Sequence, residues 1–409
     1  MTSTSPVSYK LAIPENDLQA LKSKLAATRF PDELEGVQWD YGVPLADMKR
    51  LVRYWQDGYD WRRHETHINE TFPQFTIDIE VDGFGVLNIH HVHQRSKNEH
   101  AIPLLFSHGW PGHFMEAAKI IPLLTNPPSG APAFHVVAWS LPGFGFSDAP
   151  KKPGFNMAKM AEAGHKLMLA LGYSEYVVQG GDWGSSISRQ VARLYGGKHC
   201  KAVHVNMLSM APIQPSKNPL LWLQHISTPF SEEEKRMVAR TNMFRDKGLG
   251  YFHEQSSQPQ TLSYGLADSP VGLLAWVYEK LHNWTDNYPF TDDEILDWIS
   301  VYWFSKAGPG ASLRIYYENL RTNPLENGRH EPIYSVPIGF SIFPQELVYV
   351  SKANRLLVGN LVYESSHSAG GHFAAFERPE DLVGDLREFH GIGGKAYGVV
   401  KGLTGYADD

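Results

Sequence analysis

The chain has 409 residues, 42% of them hydrophobic and 20% charged, enough to bury a large core and too apolar for disorder. A net charge of −7 offers a nucleic acid no basic footprint, and one cysteine, Cys200, excludes an intramolecular disulfide or a thiolate metal site. The opening MTSTSPVSYK lacks the apolar core of a secretory signal and any anchor helix, so a cytoplasmic location is expected.

Residues 1–95 read as a lead-in segment. ENDLQALKSKLAATRF puts Leu18, Leu21 and Leu25 on one helical face, and PLADMKRLVRYW repeats the pattern with Leu45, Met48, Leu51, Val52 and Trp55. FTIDIEVDGFGVLNIHHVH alternates Phe75, Ile77, Ile79 and Val81, breaks at Asp82-Gly83 and resumes at Leu87 and Ile89, which predicts a hairpin. His91 and His93 share a strand face, but no neighbouring cysteine or carboxylate completes a metal ligand set.

From residue 96 to 208 short apolar strands alternate with Gly-rich loops and helices: IPLLFS, FHVVAWS, YVVQG and KAVHVNML. This is the first half of an α/β core, a mostly parallel doubly wound sheet whose ligands bind beyond the carboxyl ends of the strands. Residues 209–330 break the rhythm with helical stretches such as SPVGLLAWVYEKLHNW and TDDEILDWISVYWF. Trp222, Trp276, Trp284, Trp298 and Trp303 fall there, which predicts a helical cap with an aromatic lining. Residues 331–409 return to strands in VPIGFSIFP and RLLVGNLVYE and close with the helix RPEDLVGDLREFHG.

The chemistry centres on GGDWGSS at 180–186, which lies between the strand YVVQG and the helix SSISRQVARLYG. This is the context of a nucleophile elbow, with Asp182 where the G-x-S-x-G form has serine; no G-x-S-x-G occurs in the chain. A capping aspartate would occupy the same place. As a nucleophile, a carboxylate stabilised by the helix N-terminus suits attack on an sp³ carbon. FSHGWPGHF at 106–114 is a second strand-end loop. It suits the backbone N–H of Trp110 to one half of an oxyanion hole, with that of Trp183, after the elbow residue, as the other. His108 in that loop reads as a structural histidine. Near the C-terminus, His372 follows two glycines beyond the last strand-like run, whereas His367 has no such framing. Glu346, just past a strand end, is the acid placed to orient it, ahead of Glu364; the strand KAVHVNML offers only Asn206. GIGGKAYG has no preceding strand, and LPGFGFSD lacks the third glycine of a dinucleotide fingerprint and reads as a turn beside the site.

With HGWPG, the elbow, DSPVGLLAW and GGHFAAFE in place, the chain resembles the epoxide hydrolases of the α/β-hydrolase superfamily. The likeness is to the microsomal and juvenile-hormone type with an epoxide-hydrolase N-terminal domain, and it covers nearly the whole chain. Lacking the anchor helix of membrane-bound members, the chain looks like the soluble fungal or bacterial branch. The resemblance implies Asp182 as nucleophile, Glu346 as charge-relay acid and His372 as the base that activates water. It also implies two cap tyrosines that hold the epoxide oxygen. KGLGYFHEQSSQPQT nominates Tyr251, and LRIYYENLRTN nominates Tyr316, with Tyr317 one residue away. The expected reaction turns an epoxide into a vicinal diol through an alkyl-enzyme ester, with a small apolar epoxide and water as reactants and no cofactor or metal. A haloalkane or haloacid dehalogenase, or a non-catalytic binding protein on the same fold, are the alternative readings. A homodimer is expected from the frequency of such assemblies.

Overall fold

The computed structural model describes residues 5–321 and 331–407. Nine strands form one sheet: β1 (Val7–Ser8), β2 (Gln74–Val81), β3 (Gly85–Gln94), β4 (Ile102–Ser107), β5 (Phe134–Trp139), β6 (Tyr176–Gly180), β7 (Cys200–Val205), β8 (Ile333–Ile342) and β9 (Gly359–Ser366). Their order is β1-β2-β3-β5-β4-β6-β7-β8-β9. The pairs from β5 to β9 run parallel, and β1, β2 and β3 are antiparallel to their neighbours. The predicted hairpin is β2–β3, and it continues the sheet through pairing of His91 with Trp139 and His93 with Val137. The sheet therefore begins inside the lead-in segment, before residue 96.

Every residue of β4 and of β6 is buried, as in a sheet covered on both faces. Alternation then divides the strand residues between two cores. Leu105, Val137, Trp139, Val178 and Val203 join one apolar cluster, whereas Leu104, Phe106, Val136, Ala138 and Val177 join the other. The helices of the lead-in are α1 (Glu15–Ala26), α2 (Leu45–Asp57) and α3 (Trp61–Thr71). In the core, α4 (Ile120–Thr125), α5 (Met157–Ala170) and α6 (Asp182–Tyr195) follow β4, β5 and β6.

Between β7 and β8 the chain leaves the sheet and forms α7 (Pro219–Ser227), α8 (Glu232–Met243), α9 (Gly250–Ser257), α10 (Pro259–Asp268), α11 (Pro270–Asn283), α12 (Asp292–Trp303) and α13 (Arg314–Arg321). Residues 322–330, assigned from the sequence to the end of the cap, lie outside the described residues, as do 1–4 and 408–409. The closing helix α14 (Pro379–His390) packs beside α4 and buries Leu382, Val383, Leu386 and Phe389. No helix among the described residues is long and apolar enough to cross a membrane.

Candidate active site

The elbow forms because β6 ends at Gly180 and α6 starts at Asp182, leaving one residue for the reversal. Asp182 takes the left-handed conformation, φ +47°, which costs a non-glycine residue energy and aims its side chain above the sheet. The turn also needs a bare backbone: a Cβ on Gly184 would sit 1.8 Å from the Ser107 carbonyl oxygen. On the opposing loop, a Cβ on Gly109 would lie 2.2 Å from Asp182 Oδ1. Only glycine permits that approach.

The close packing puts the Trp110 N–H where it donates to Asp182 Oδ1 at 2.7 Å. Oδ2 faces the other way, 3.4 Å from His372 Nε2, within ion-pair range. His372 Nδ1 is 2.7 Å from Glu346 Oε1, which also accepts the Leu347 N–H at 2.6 Å. The loops after β8 and β9 carry these two residues, and the His372 N–H donates to the Trp284 carbonyl at 2.8 Å. Burial works against a charged His372. The negative charge of Glu346 and the contact with Asp182 outweigh it, and the imidazole is held well above its usual range.

Over this group stand Tyr251 from α9 and Tyr316 from α13, 7% and 1% exposed, with ring centroids 5.8 Å apart. The Trp110 ring stacks on Tyr251 at 5.2 Å and meets Tyr316 edge-on at 5.7 Å; Trp183 meets Tyr316 edge-on at 5.0 Å. Burial, with the charge of Asp182 adding to it, raises the ionisation of Tyr251 and keeps it a neutral phenol. Tyr316 shifts the same way for the same first cause. Its neighbour Tyr317 is 40% exposed and turned away. A cavity of about 300 Å³ runs between these rings and Asp182, walled further by Met207, Met210, Phe244, Leu249, Phe252, Leu347 and Val348. Most of its lining is apolar, with Asp182, Arg245 and the serines Ser185, Ser186 and Ser209 as the polar part.

The residues set aside in the sequence have other partners. His108 lies within the core, its ring contacting the Gly109 carbonyl and the Leu141 N–H, and burial pushes it down to about 4. In the HHVH strand, His90 bonds Ser140 and Gln74, and His93 bonds Tyr173. No group of three or more His, Cys, Asp or Glu able to hold a metal exists among the described residues. Glu364 pairs with Arg355 at 2.6 Å, and His367 pairs with Asp385 at 2.7 Å. The amide of Asn206 accepts from Gln179. The buried carboxyls Glu65, Glu116, Glu162 and Asp385 escaped the sequence reading. Glu116 sits behind the HGWPG loop, where burial raises it to about 8 against the opposing charge of His372. No spacing singles it out in FMEA.

A parallel sheet with a charged elbow at its carboxyl edge, roofed by helices inserted after β7, defines an α/β-hydrolase-fold enzyme. The comparisons narrow this. Residues 6–117 match the model of the epoxide hydrolase N terminus and residues 102–252 that of the alpha/beta hydrolase fold. Epoxide hydrolase 1 of Sus scrofa is 35% identical over 94% of this chain and 88% of its own length. The solved Aspergillus niger epoxide hydrolase superposes with a TM-score of 0.79 at 34% identity, covering 94% of this chain and 96% of that one. Juvenile hormone epoxide hydrolase of the silkworm Bombyx mori superposes with a TM-score of 0.85 at 31% identity, covering 94% of each chain. The chain belongs to the epoxide hydrolase family.

Proposed function

We propose that the enzyme hydrolyses small apolar epoxides to vicinal diols in two steps through an ester on Asp182. The observation that carries this is the division of labour between the two carboxylate oxygens: Oδ1 is held by the Trp110 N–H, and Oδ2 is left facing the cavity and His372. In the first step Oδ2 attacks an epoxide carbon in line. The C–O bond of the ring breaks, and its electron pair goes to the oxygen, where Tyr251 and Tyr316 donate hydrogen bonds. General-acid help of this kind is worth ~10²–10⁴-fold. Both hydroxyls suit the role because burial keeps them protonated.

In the second step His372, oriented by Glu346, takes a proton from water, and the hydroxide adds to the Asp182 carbonyl carbon. Charge then develops on Oδ1, already hydrogen-bonded to Trp110; the Trp183 N–H is the second donor. Each such donor is worth roughly 3–4 kcal/mol. Collapse expels the diol oxygen; the proton taken by His372 and the proton of the new carboxylic acid pass to the two oxygens of the diol, which regenerates the carboxylate. A serine at the elbow would form an alkyl ether, which water cannot cleave. The carboxylate forms an ester, which it can.

The test is a mass spectrum of the His372→Gln variant after brief exposure to styrene oxide. The expected result is a stoichiometric adduct of one substrate mass on the peptide containing Asp182, with diol release slowed by roughly 10²–10⁴-fold. An unmodified protein with styrene oxide and with bulkier epoxides would refute the mechanism, and an adduct formed only from a bromoalkane would assign dehalogenation instead.

A further inference from the structure

We propose that Lys280 is a positioning residue for ring opening: its buried ammonium, held over the ring of Tyr251, strengthens that phenol as hydrogen-bond donor to the epoxide oxygen. This rests on the reading of Tyr251 given above. Trp276, Lys280 and Trp284 recur at every fourth position through α11 and just past its end, so they share one helical face. Lys280 and Trp284 reach Tyr251 itself, and Trp276 reaches the turn that follows it. The Trp276 indole N–H donates to Gln255, one turn beyond Tyr251 on α9, at 3.0 Å. Lys280 Nζ lies 5.4 Å from the Tyr251 ring centroid and 4.9 Å from that of Trp276. The Trp284 ring is 5.0 Å from Tyr251 and 5.0 Å from His372.

Lys280 is only 3% exposed, and lysine is almost never buried without a partner. Its partner is Glu279 at 2.7 Å, a residue whose side chain still reaches solvent. Burial favours loss of the proton, and the charge of Glu279 opposes that loss. Packing alone does not require such a group, because an apolar side chain of similar volume replaces a buried ion pair at little or no cost in stability. What an apolar chain lacks is a positive field at the ring. Cations above an aromatic face are attracted to its electrons. The attraction grows as negative charge shifts onto the phenolic oxygen during donation to the forming alkoxide, so the interaction is stronger in the transition state than in the resting enzyme.

The experiment resolves ester formation from ester hydrolysis by rapid mixing with styrene oxide, following tryptophan fluorescence with mass spectrometry of quenched samples. Lys280→Met should slow ester formation roughly 10- to 100-fold, part of what a general acid supplies. Hydrolysis, in which Tyr251 takes no part, should stay within about 2-fold, and Lys280→Arg should restore most of the loss. In a Tyr251→Phe background, Lys280→Met should have almost no further effect. Equal slowing of both steps by Met and Arg, or an undiminished effect in the Tyr251→Phe background, would overturn the proposal. If Tyr251→Phe alone leaves ring opening unchanged, the reading of Tyr251 is what fails. Should Lys280→Met not fold, Glu279→Gln carries the test. Glu279 and, from α9, Tyr251 are the titratable groups facing Lys280 among the described residues. Weakening the counter-charge should move the alkaline fall of ring opening to lower pH, and an unmoved limb would count against the proposal.

Discussion

Two carboxylates, Glu346 and Asp182, face one imidazole in this site, and on the proposed mechanism their charges decide when His372 acts as the base. In the resting enzyme Glu346 and Asp182 together overcome the burial of the ring and keep it protonated above its ordinary range. On the proposed mechanism, esterification removes the charge of Asp182 and with it two of the contributions that hold the proton, leaving Glu346 2.7 Å from the ring. The folded-state value therefore falls on alkylation, and the base becomes available when there is an ester to cleave. Ester formation draws on the Asp182 carboxylate and two neutral phenols and not on a neutral His372, so its rate should be flat across neutral pH. Ester hydrolysis should rise with pH through a midpoint lower than that of His372 in the free enzyme, as seen by NMR titration of the imidazole. Stopped-flow traces at several pH values separate the phases; a hydrolysis midpoint equal to the free-enzyme value would show that the charge of Asp182 does not govern the base.

At the scale of elements, the segment that delivers His372 is tied down by a polar cluster between β8, β9 and α14. Asp385 on α14 accepts from Ser341 and from Tyr363 and pairs with His367 at 2.7 Å, five residues before His372. The Asp385 hydrogen bond raises His367 above its ordinary range against a smaller cost of burial. A histidine with a raised folded value stabilises the fold fully below its unfolded pKa, near 6.5, and loses that contribution as pH climbs through the folded value. Urea unfolding should thus show stability falling from about pH 6.5 upward. His367→Gln should flatten that decline while lowering stability at pH 6. An identical slope in the variant would place the titrating group elsewhere. The sequence pattern exposed the strands β4 to β7 and the elbow, because each strand is a short, largely buried apolar run and β6 ends at Gly180. It did not expose α3, whose buried face is Trp61, His64, Glu65 and Ile68, so polar residues fill positions that periodicity reads as exposed. Leu356–Val358 read as strand by composition, yet forms a short 3₁₀ turn ahead of β9. Lys280 in a Glu-Lys pair looks like any solvated helix face, since the ring above it comes from α9.

Across the whole molecule, the lead-in segment acts on the site through α12. The Tyr54 hydroxyl donates to Asp293 at 2.7 Å, Arg63 pairs with Asp293 at 2.9 Å, and Arg50 pairs with Asp292. One turn further, the Tyr59 hydroxyl donates to Asp297 at 2.6 Å and His64 Nδ1 lies 2.8 Å from the same oxygen. From the other side of α12, the Trp298 indole donates to the Pro111 carbonyl at 2.6 Å and the Tyr302 hydroxyl to the Gly112 carbonyl at 2.8 Å. These carbonyls belong to the loop whose Trp110 N–H holds Asp182. Lead-in, cap and the 108–112 loop are thereby one mechanical chain, although they are distant in sequence. The links differ in worth according to burial. Asp297 is 18% exposed and accepts from a half-buried phenol, whereas Arg50 and Asp292 are 47% and 32% exposed. Hydrogen bonds to a charged group away from water contribute about 1.5–3 kcal/mol, and exposed ion pairs no more than about 1 kcal/mol. Asp297→Asn should therefore shift the urea midpoint clearly and speed hydrogen exchange in both α12 and the 108–112 loop. Arg50→Ala should leave both near the native values. If the two variants proved equally damaging, net charge between lead-in and cap, rather than the buried bonds at Asp297, would be what joins them.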